Sequence, residues 1–233
     1  MNPARLSPSV SRLFPPGVLA AELREAGDPG LLLPAEAAHL GRAVPERVRE
    51  FAAGRLCARR ALAEFGIVDF PLEVAADRQP VWPDRMLGSI THTAGYCAAA
   101  VAARRHLKAL GIDSEVVGDV MAEIWPKICV PLESAWIGTL SESERAAAAT
   151  LIFSAKEAFY KCQYPLAGER LNFHDVRIDV PAWGAGEGEF RLHAIRRIAV
   201  LEHALRPLEG RYRFHEAFVT AGIGLAAGEP SAQ

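Results

Sequence analysis

Residues 141–166 read "SESERAAAATLIFSAKEAFYKCQYPL", and the reading of this stretch decides what the rest of the chain must be. The run is rich in alanine and other helix formers, and Ser141 with Glu144 fits a capping box, so a long helix is predicted over it. Its inner part, "FSAKEAFYKC" at 153–162, sets Lys156, Glu157 and Lys161 among apolar neighbours, with Phe153, Ala158, Phe159 and Cys162 as the expected core side. Two readings compete. Ser154 and Glu157 fit a second capping box, and Glu157 with Lys161 is then an ordinary i,i+4 pair worth roughly 0.2–0.5 kcal/mol. Alternatively the three charges belong to a site. Taken alone the segment favours the capped helix, and only the remainder of the chain can shift that balance.

Working outward, "GDVMAEIWPKICVPLESAWIG" at 118–138 is predicted to be helical in parts, broken by Pro126 and Pro131. "KALGIDSEVV" at 108–117 reads as a strand, and "SITHTAGYCAAAVAA" at 89–103 as strand, turn and strand. "PERVREFAAGRLCARRALAEFG" at 45–66 is a clear helix: Pro45 suits the first turn, Phe51, Leu56, Ala58 and Leu62 recur at helical spacing, and Gly66 suits the stop. "DRQPVWPDRMLG" at 77–88 is a loop, and the first 45 residues, rich in Pro and Gly, are expected to be short strands and turns. Beyond the long helix, "HDVRIDVPAW", "GEFRLHAI" and "RYRFHEAFVTAGIGLAA" are strand-like, and the tail "GEPSAQ" is expected to fray. The pattern of helix followed by strands occurs twice, and "TAGYCAAAVAA" and "VTAGIGLAA" end the two halves alike. The expected fold is α+β with two pseudo-symmetric lobes, residues 1–108 and 109–233.

Composition narrows the function. The 233 residues are half hydrophobic with a formal net charge of −2, so no global field favours nucleic acid or an anionic membrane. The longest apolar run, "YCAAAVAA" at 96–103, is far short of the roughly 20 residues a membrane helix needs. The opening "MNPARLSPSVSRLFPPGV" is broken by prolines before any apolar run forms and does not read as a signal peptide. Cys57, Cys97, Cys129 and Cys162 lie far apart with no metal-like spacing and read as reduced, buried thiols of a cytoplasmic protein. A monomer is expected.

Three further groups of residues carry possible chemistry. In "GIDSE", 111–115, Asp113 and Glu115 share one face of a strand, with Ser114 on the other. Like charges that close need water or a cation between them, and with no thiolate or paired imidazole beside them Mg²⁺ or Mn²⁺ is favoured over Zn²⁺. Glu157 would add a third carboxylate. "GSITHT" at 88–93 offers Ser89, Thr91, Thr93 and His92 beside Gly88, and the helix at 45–60 carries Arg47, Arg49, Arg55, Arg59 and Arg60, with Arg78 in the following loop. Each group alone is most simply a solvated surface. Together, cations for phosphates and carboxylates for a divalent ion equip a site for moving a phosphoryl-type group.

In order, "EFAAGRLCARRAL", "PVWPDRMLGSITHTAGYCAAAVA", "GIDSE" and "FSAKEAFYK" resemble the motifs of the 4′-phosphopantetheinyl transferases, specifically the Sfp-type class and its enterobactin-synthetase-component-D-like group. The resemblance spans residues 45–170. It implies coenzyme A as substrate, with the site in the cleft between the lobes. It also implies transfer of the 4′-phosphopantetheine arm to a serine of an acyl or peptidyl carrier protein, and adenosine 3′,5′-bisphosphate as the other product. This is the reaction of a holo-acyl-carrier-protein synthase. By position, Asp113, Glu115 and Glu157 resemble the metal carboxylates and Lys161 the lysine at the diphosphate. His92 resembles the histidine at a coenzyme A phosphate, and Arg47, Arg55 and Arg78 the basic contacts at the nucleotide end. Lys156 matches the lysine of the "KE" pair, and Ser89 and Asp113 are also assigned to coenzyme A. Glu157, directly or through a water on the ion, is the expected base. The rival reading is a non-catalytic module that binds coenzyme A or a nucleotide. Val117, Val120, Met121, Ile124 and Ile128 would form one apolar stripe if 116–130 were a helix, and Val117, Met121 and Ile124 are assigned to carrier docking.

Overall fold

The computed structural model describes residues 4–202 and 207–227; the expected fraying of 228–233 lies outside these. By its contacts the chain divides into two units. The first comprises residues up to Thr91, then Gly95–Leu110, and from Gly224 onward; the second comprises His92–Ala94 and Gly111–Ile223. The sequence suggested a single cut after residue 108; by contacts the division falls inside three strands and at one hairpin tip.

In the first unit, strands β1 (Arg5–Leu6), β2 (Val18–Leu23), β3 (Met86–Thr93) and β4 (Tyr96–Ala103) form a sheet in the order β1-β2-β4-β3. Between them come the short helices α1 (Pro8–Ser11) and α2 (Pro34–Ala37), where the sequence reading had only strands and turns, and then α3 (Pro45–Ala63). Pro45 occupies the first helical position, where its missing N–H costs nothing, and Gly66 beyond the end takes φ of 76°. β2 and β4 pair antiparallel from Val18↔Ala102 to Leu23↔Cys97. Every residue of β4 is buried, and its run of alanines lets α3 lie close on the sheet through Leu56, Cys57, Ala58 and Leu62.

In the second unit, β5 (Leu107–Val116), β6 (Val176–Asp179), β7 (Glu187–Ala194), β8 (Leu208–His215) and β9 (Phe218–Ala226) form a sheet in the order β5-β9-β8-β7-β6. Its helices are α4 (Trp125–Ile128), α5 (Pro131–Thr139) and α6 (Glu142–Ala167). The prediction of one long helix holds: α6 runs 26 residues and ends at Gly168 in the left-handed conformation. Glu144 reaches back to accept the Ser141 N–H at 3.1 Å, half of the predicted capping box. The second box fails. Ser154 and Glu157 are three turns inside α6, where backbone N–H groups already have partners one turn back. Ser154 is spent differently, donating its hydroxyl to the Asp113 carbonyl on β5 at 3.0 Å.

β5 and α6 approach closely at Gly111. A Cβ on Gly111 would lie 1.9 Å from the Ala158 carbonyl oxygen and 2.7 Å from the Cys162 nitrogen. Only glycine lets the strand meet the helix backbone there. The apolar side of α6 (Ala148, Leu151, Ile152, Ala155, Ala158, Phe159, Cys162) is buried along its length. All four cysteines are buried and unbridged.

Candidate active site

The backbone contact at Gly111 brings the next residues of β5 alongside α6. Two residues on, Asp113 points toward α6, and Lys161 places its ammonium 2.7 Å from Asp113 Oδ1. Ser114 points the other way, its hydroxyl 2.8 Å from that of Thr220 on β9, as strand alternation requires. Glu115 returns to the side of Asp113.

The electrostatics of this group are those of too many carboxylates. Burial, and next the neighbouring Asp113 carboxylate, push Glu115 up to about 8; Glu157 adds to that rise and Lys161 opposes it. Burial, and next Asp113, also raise Glu157, again against Lys161. The three acids therefore feel one another, and the nearby ammonium does not offset them. That is the donor chemistry of a hard divalent cation: oxygen atoms only, more negative charge than one lysine balances, and partial burial. Among the described residues no three His, Cys, Asp or Glu side chains stand gathered as a ready-made metal cluster. The ammonium of Lys161 takes the Asp113 oxygen instead.

Beside Glu157 on the same helix face opens a cavity of about 320 Å³. Its wall is built by Phe159 and Tyr160 of α6 and by Arg170, Leu171 and Phe173 of the segment that leads to β6. Tyr160 stacks on Tyr164 at 5.3 Å, which stiffens the helix side. Sequence reading did not single out residues 170–173, which have no periodicity and lead into the 3₁₀ turn at Phe173–Asp175.

Lys156 was expected at coenzyme A. It borders the cavity, but its ammonium is buried and donates to the Ile128 carbonyl, the Phe173 carbonyl and Glu133, each at 2.8 Å. Burial lowers its pKa in spite of Glu133. Glu133 was missed altogether; its one signal was an acid three residues after Val130, where it accepts the Val130 N–H at 2.7 Å.

The expected docking stripe is not one helix. A single 3₁₀ turn at Ala122–Ile124 passes into the short α4, and Trp125 closes the turn by donating to the Val120 carbonyl at 2.8 Å. Val120 and Ile128 are buried and Val117 is half-buried, whereas Met121 is 60% and Ile124 38% exposed. The prolines that argued against a buried helix divide the stripe into anchors and free ends.

The basic residues of the first unit are less uniform than their spacing suggested. Arg47 is exposed and paired with Glu50 at 3.1 Å. Arg78 is exposed at φ of 72° in a tight loop, and Ser89 is buried on β3. His92, at the tip that belongs to the second unit, is exposed. Arg55 is buried, lies 3.8 Å over the Phe51 ring and donates to the Leu72 carbonyl at 3.0 Å. Burial, outweighing Glu36, pushes its pKa down to about 10. Arg55→Ala is expected to lower stability by about 2 kcal/mol, because a buried carbonyl loses its donor and a cavity opens. Denaturant unfolding would show this as an earlier midpoint, and an unchanged midpoint with lost coenzyme A affinity would mark Arg55 as a ligand contact only.

Comparison with known proteins bears on the same segments. The family model of the 4′-phosphopantetheinyl transferase N-terminal domain matches residues 35–102, and that of the 4′-phosphopantetheinyl transferase superfamily matches 109–215. The chain is 38% identical over 198 residues to 4′-phosphopantetheinyl transferase Svp of Streptomyces mobaraensis, covering 84% of this chain and 80% of that one. It is 38% identical over 205 residues to 4′-phosphopantetheinyl transferase PptT of Mycobacterium tuberculosis, covering 84% and 88%. Over 129 residues, 54% of this chain and 58% of the other, it is 37% identical to enterobactin synthase component D of Escherichia coli K12. With both segments matched and relatives covered over most of their length, the chain belongs to the 4′-phosphopantetheinyl transferase superfamily.

Proposed function

We propose that this chain transfers the 4′-phosphopantetheine arm of coenzyme A to a serine of an acyl or peptidyl carrier protein, as a holo-acyl-carrier-protein synthase does. The observation that carries the reading is the sharing of Glu157 between the acidic group and the neighbouring cavity. The arm is a flexible, largely apolar chain with two amides. The cavity offers apolar walls at Phe159, Leu171 and Phe173, and an amide partner in Asn172. The diphosphate then lies at the cavity's acidic end, where Lys161 is at hand.

Asp113, Glu115 and Glu157 would hold a divalent ion, Mg²⁺ by the all-oxygen donor set, with Mn²⁺ as a substitute. When bound, such an ion offsets charge on the diphosphate oxygens and supplies Lewis acidity. Lys161, released from Asp113 Oδ1, donates to the same oxygens as charge develops on them. Glu157 is assigned to the acceptor side, where it takes the serine proton directly or through a water. Arg47 and Arg78, both exposed on the first unit, together with Ser89 and His92, are assigned to the nucleotide end. The chain is proposed to act as a cytoplasmic monomer, with no nucleic-acid or membrane partner. Among the described residues no helix is long and apolar enough to cross a membrane.

The carrier is proposed to dock on Met121 and Ile124, exposed apolar ends held by buried neighbours. Met121→Glu is expected to raise the carrier KM about tenfold, the equivalent of one lost contact of about 1.4 kcal/mol. Coenzyme A affinity and melting temperature should stay near those of the parent. A lower melting temperature with unaltered carrier KM would mean that Met121 is packing and docks nothing. The overall reading is tested by product: adenosine 3′,5′-bisphosphate should appear with an apo carrier and not with the same carrier lacking its serine. Release from both would mean hydrolysis in place of transfer.

A further inference from the structure

Lys156 and Glu133 form an ion pair closed off from solvent, their side chains 1% and 0% exposed and 2.8 Å apart. Every bond of the pair inside the unit ends on a different piece of chain. The ammonium donates to the carbonyls of Ile128, at the end of α4, and Phe173, in the turn before β6. Glu133 Oε2 also accepts the N–H of Val130, just before α5, and Oε1 accepts that of Ile178, on β6, at 2.7 Å. Net stability does not account for such a pair, since the cost of stripping water from two charges roughly cancels their attraction, and neutral replacements are often as stable. Where the bonds lead is more telling. Ile128 and Val130 close the segment that presents Met121 and Ile124, Phe173 is a wall of the cavity, and Lys156 is the residue next to Glu157.

We propose that Lys156 and Glu133 are positioning residues. Their pair fixes the docking segment at 121–130 and the cavity wall at Phe173 against α6, so that the carrier's serine arrives at Glu157. Neither side chain touches the phosphates. The kinetic consequence rests on the function proposed above; the structural one does not.

The double variant Lys156→Met with Glu133→Gln removes both charges together and leaves no lone buried ion, and Lys156→Met alone is its companion. Hydrogen exchange on the full chain needs no carrier. The double variant is expected to stay folded with a modestly lowered melting temperature, because the Ile128 and Phe173 carbonyls lose their donor. Amide exchange should quicken in 121–133 and 171–178 and stay unchanged in 142–152. With coenzyme A, Mg²⁺ and an apo carrier, the carrier KM should rise about tenfold, equivalent to about 1.4 kcal/mol, with a much smaller change in coenzyme A affinity. Tenfold weaker coenzyme A with unaltered exchange would make Lys156 a phosphate contact and overturn the proposal. So would unaltered exchange with unaltered kinetics, or outright unfolding of the double variant, which would make the pair a determinant of the fold. If the parent protein itself modifies no carrier, the proposed function fails, and the exchange pattern alone decides the positioning claim.

Discussion

Asp113→Asn is expected to lower kcat for carrier modification by roughly 10²–10³-fold, the scale of losing one directed electrostatic contact in a transition state, while the protein stays folded. Asparagine has the shape of aspartate and lacks its charge, so it ligates a divalent ion poorly and frees Lys161 from its present partner. The fold should not suffer, because β5 is held at this point by its backbone: the Asp113 carbonyl accepts from Ser154, and Ser114 pairs with Thr220. Stability should if anything rise, since Asp113 is the largest neighbouring charge that raises both Glu115 and Glu157. Steady-state kinetics at ordinary Mg²⁺ together with a melting curve check both halves. Near-normal kcat would remove Asp113 from the site. A lower melting temperature would mean that its carboxylate supports the fold.

Gly111→Ala is expected to have the largest effect on stability. The new Cβ would lie 1.9 Å from the Ala158 carbonyl oxygen, an atom of helix backbone that has no rotamer to change. Either β5 or α6 must move, and overpacking of this kind costs about 3 kcal/mol or more, which for a chain of this size is a fall of about 10 °C in melting temperature. Because Asp113 and Lys161 sit on the two elements forced apart, kcat should fall as well, in the fraction that remains folded. A variant as stable as the parent would show that the strand and helix are not in backbone contact there.

How much of this the sequence disclosed depended on whether a residue's role was periodic. α6 and α3 were legible because their apolar residues repeat at helical spacing, and β3 to β5 because β-branched and small apolar residues gather there, although Met86–Gly88, read as the end of a loop, already belong to β3. The pairing of Asp113 and Glu115 on one strand face, with Ser114 opposite, was legible for the same reason. Close approach is not periodic: the glycine of "GIDSE" was visible, but that it meets the Ala158 carbonyl was not. Nor could spacing tell a lysine aimed at phosphate from one aimed inward. Lys156 and Lys161 lie on one helix five residues apart, yet one is buried against Glu133 and two carbonyls while the other meets Asp113. Arg55 shows the same limit, since its helix spacing with Arg59 said nothing of the Leu72 carbonyl that Arg55 caps or of the Glu36 that Arg59 pairs with. The stripe at 117–128 failed because a pattern of period 3.6 was laid over a segment whose prolines allow only a 3₁₀ turn and one short helix.

The central claim is that this chain moves a phosphopantetheine arm and does not merely hold coenzyme A. The most direct measurement is the intact mass of an apo carrier protein after incubation with the chain, coenzyme A and Mg²⁺. The predicted result is a gain of one phosphopantetheine per carrier, lost when Mg²⁺ is chelated and nearly lost with Asp113→Asn. Carriers of unchanged mass, from a protein whose melting temperature nonetheless rises on adding coenzyme A, would contradict it and leave a binding module without transfer.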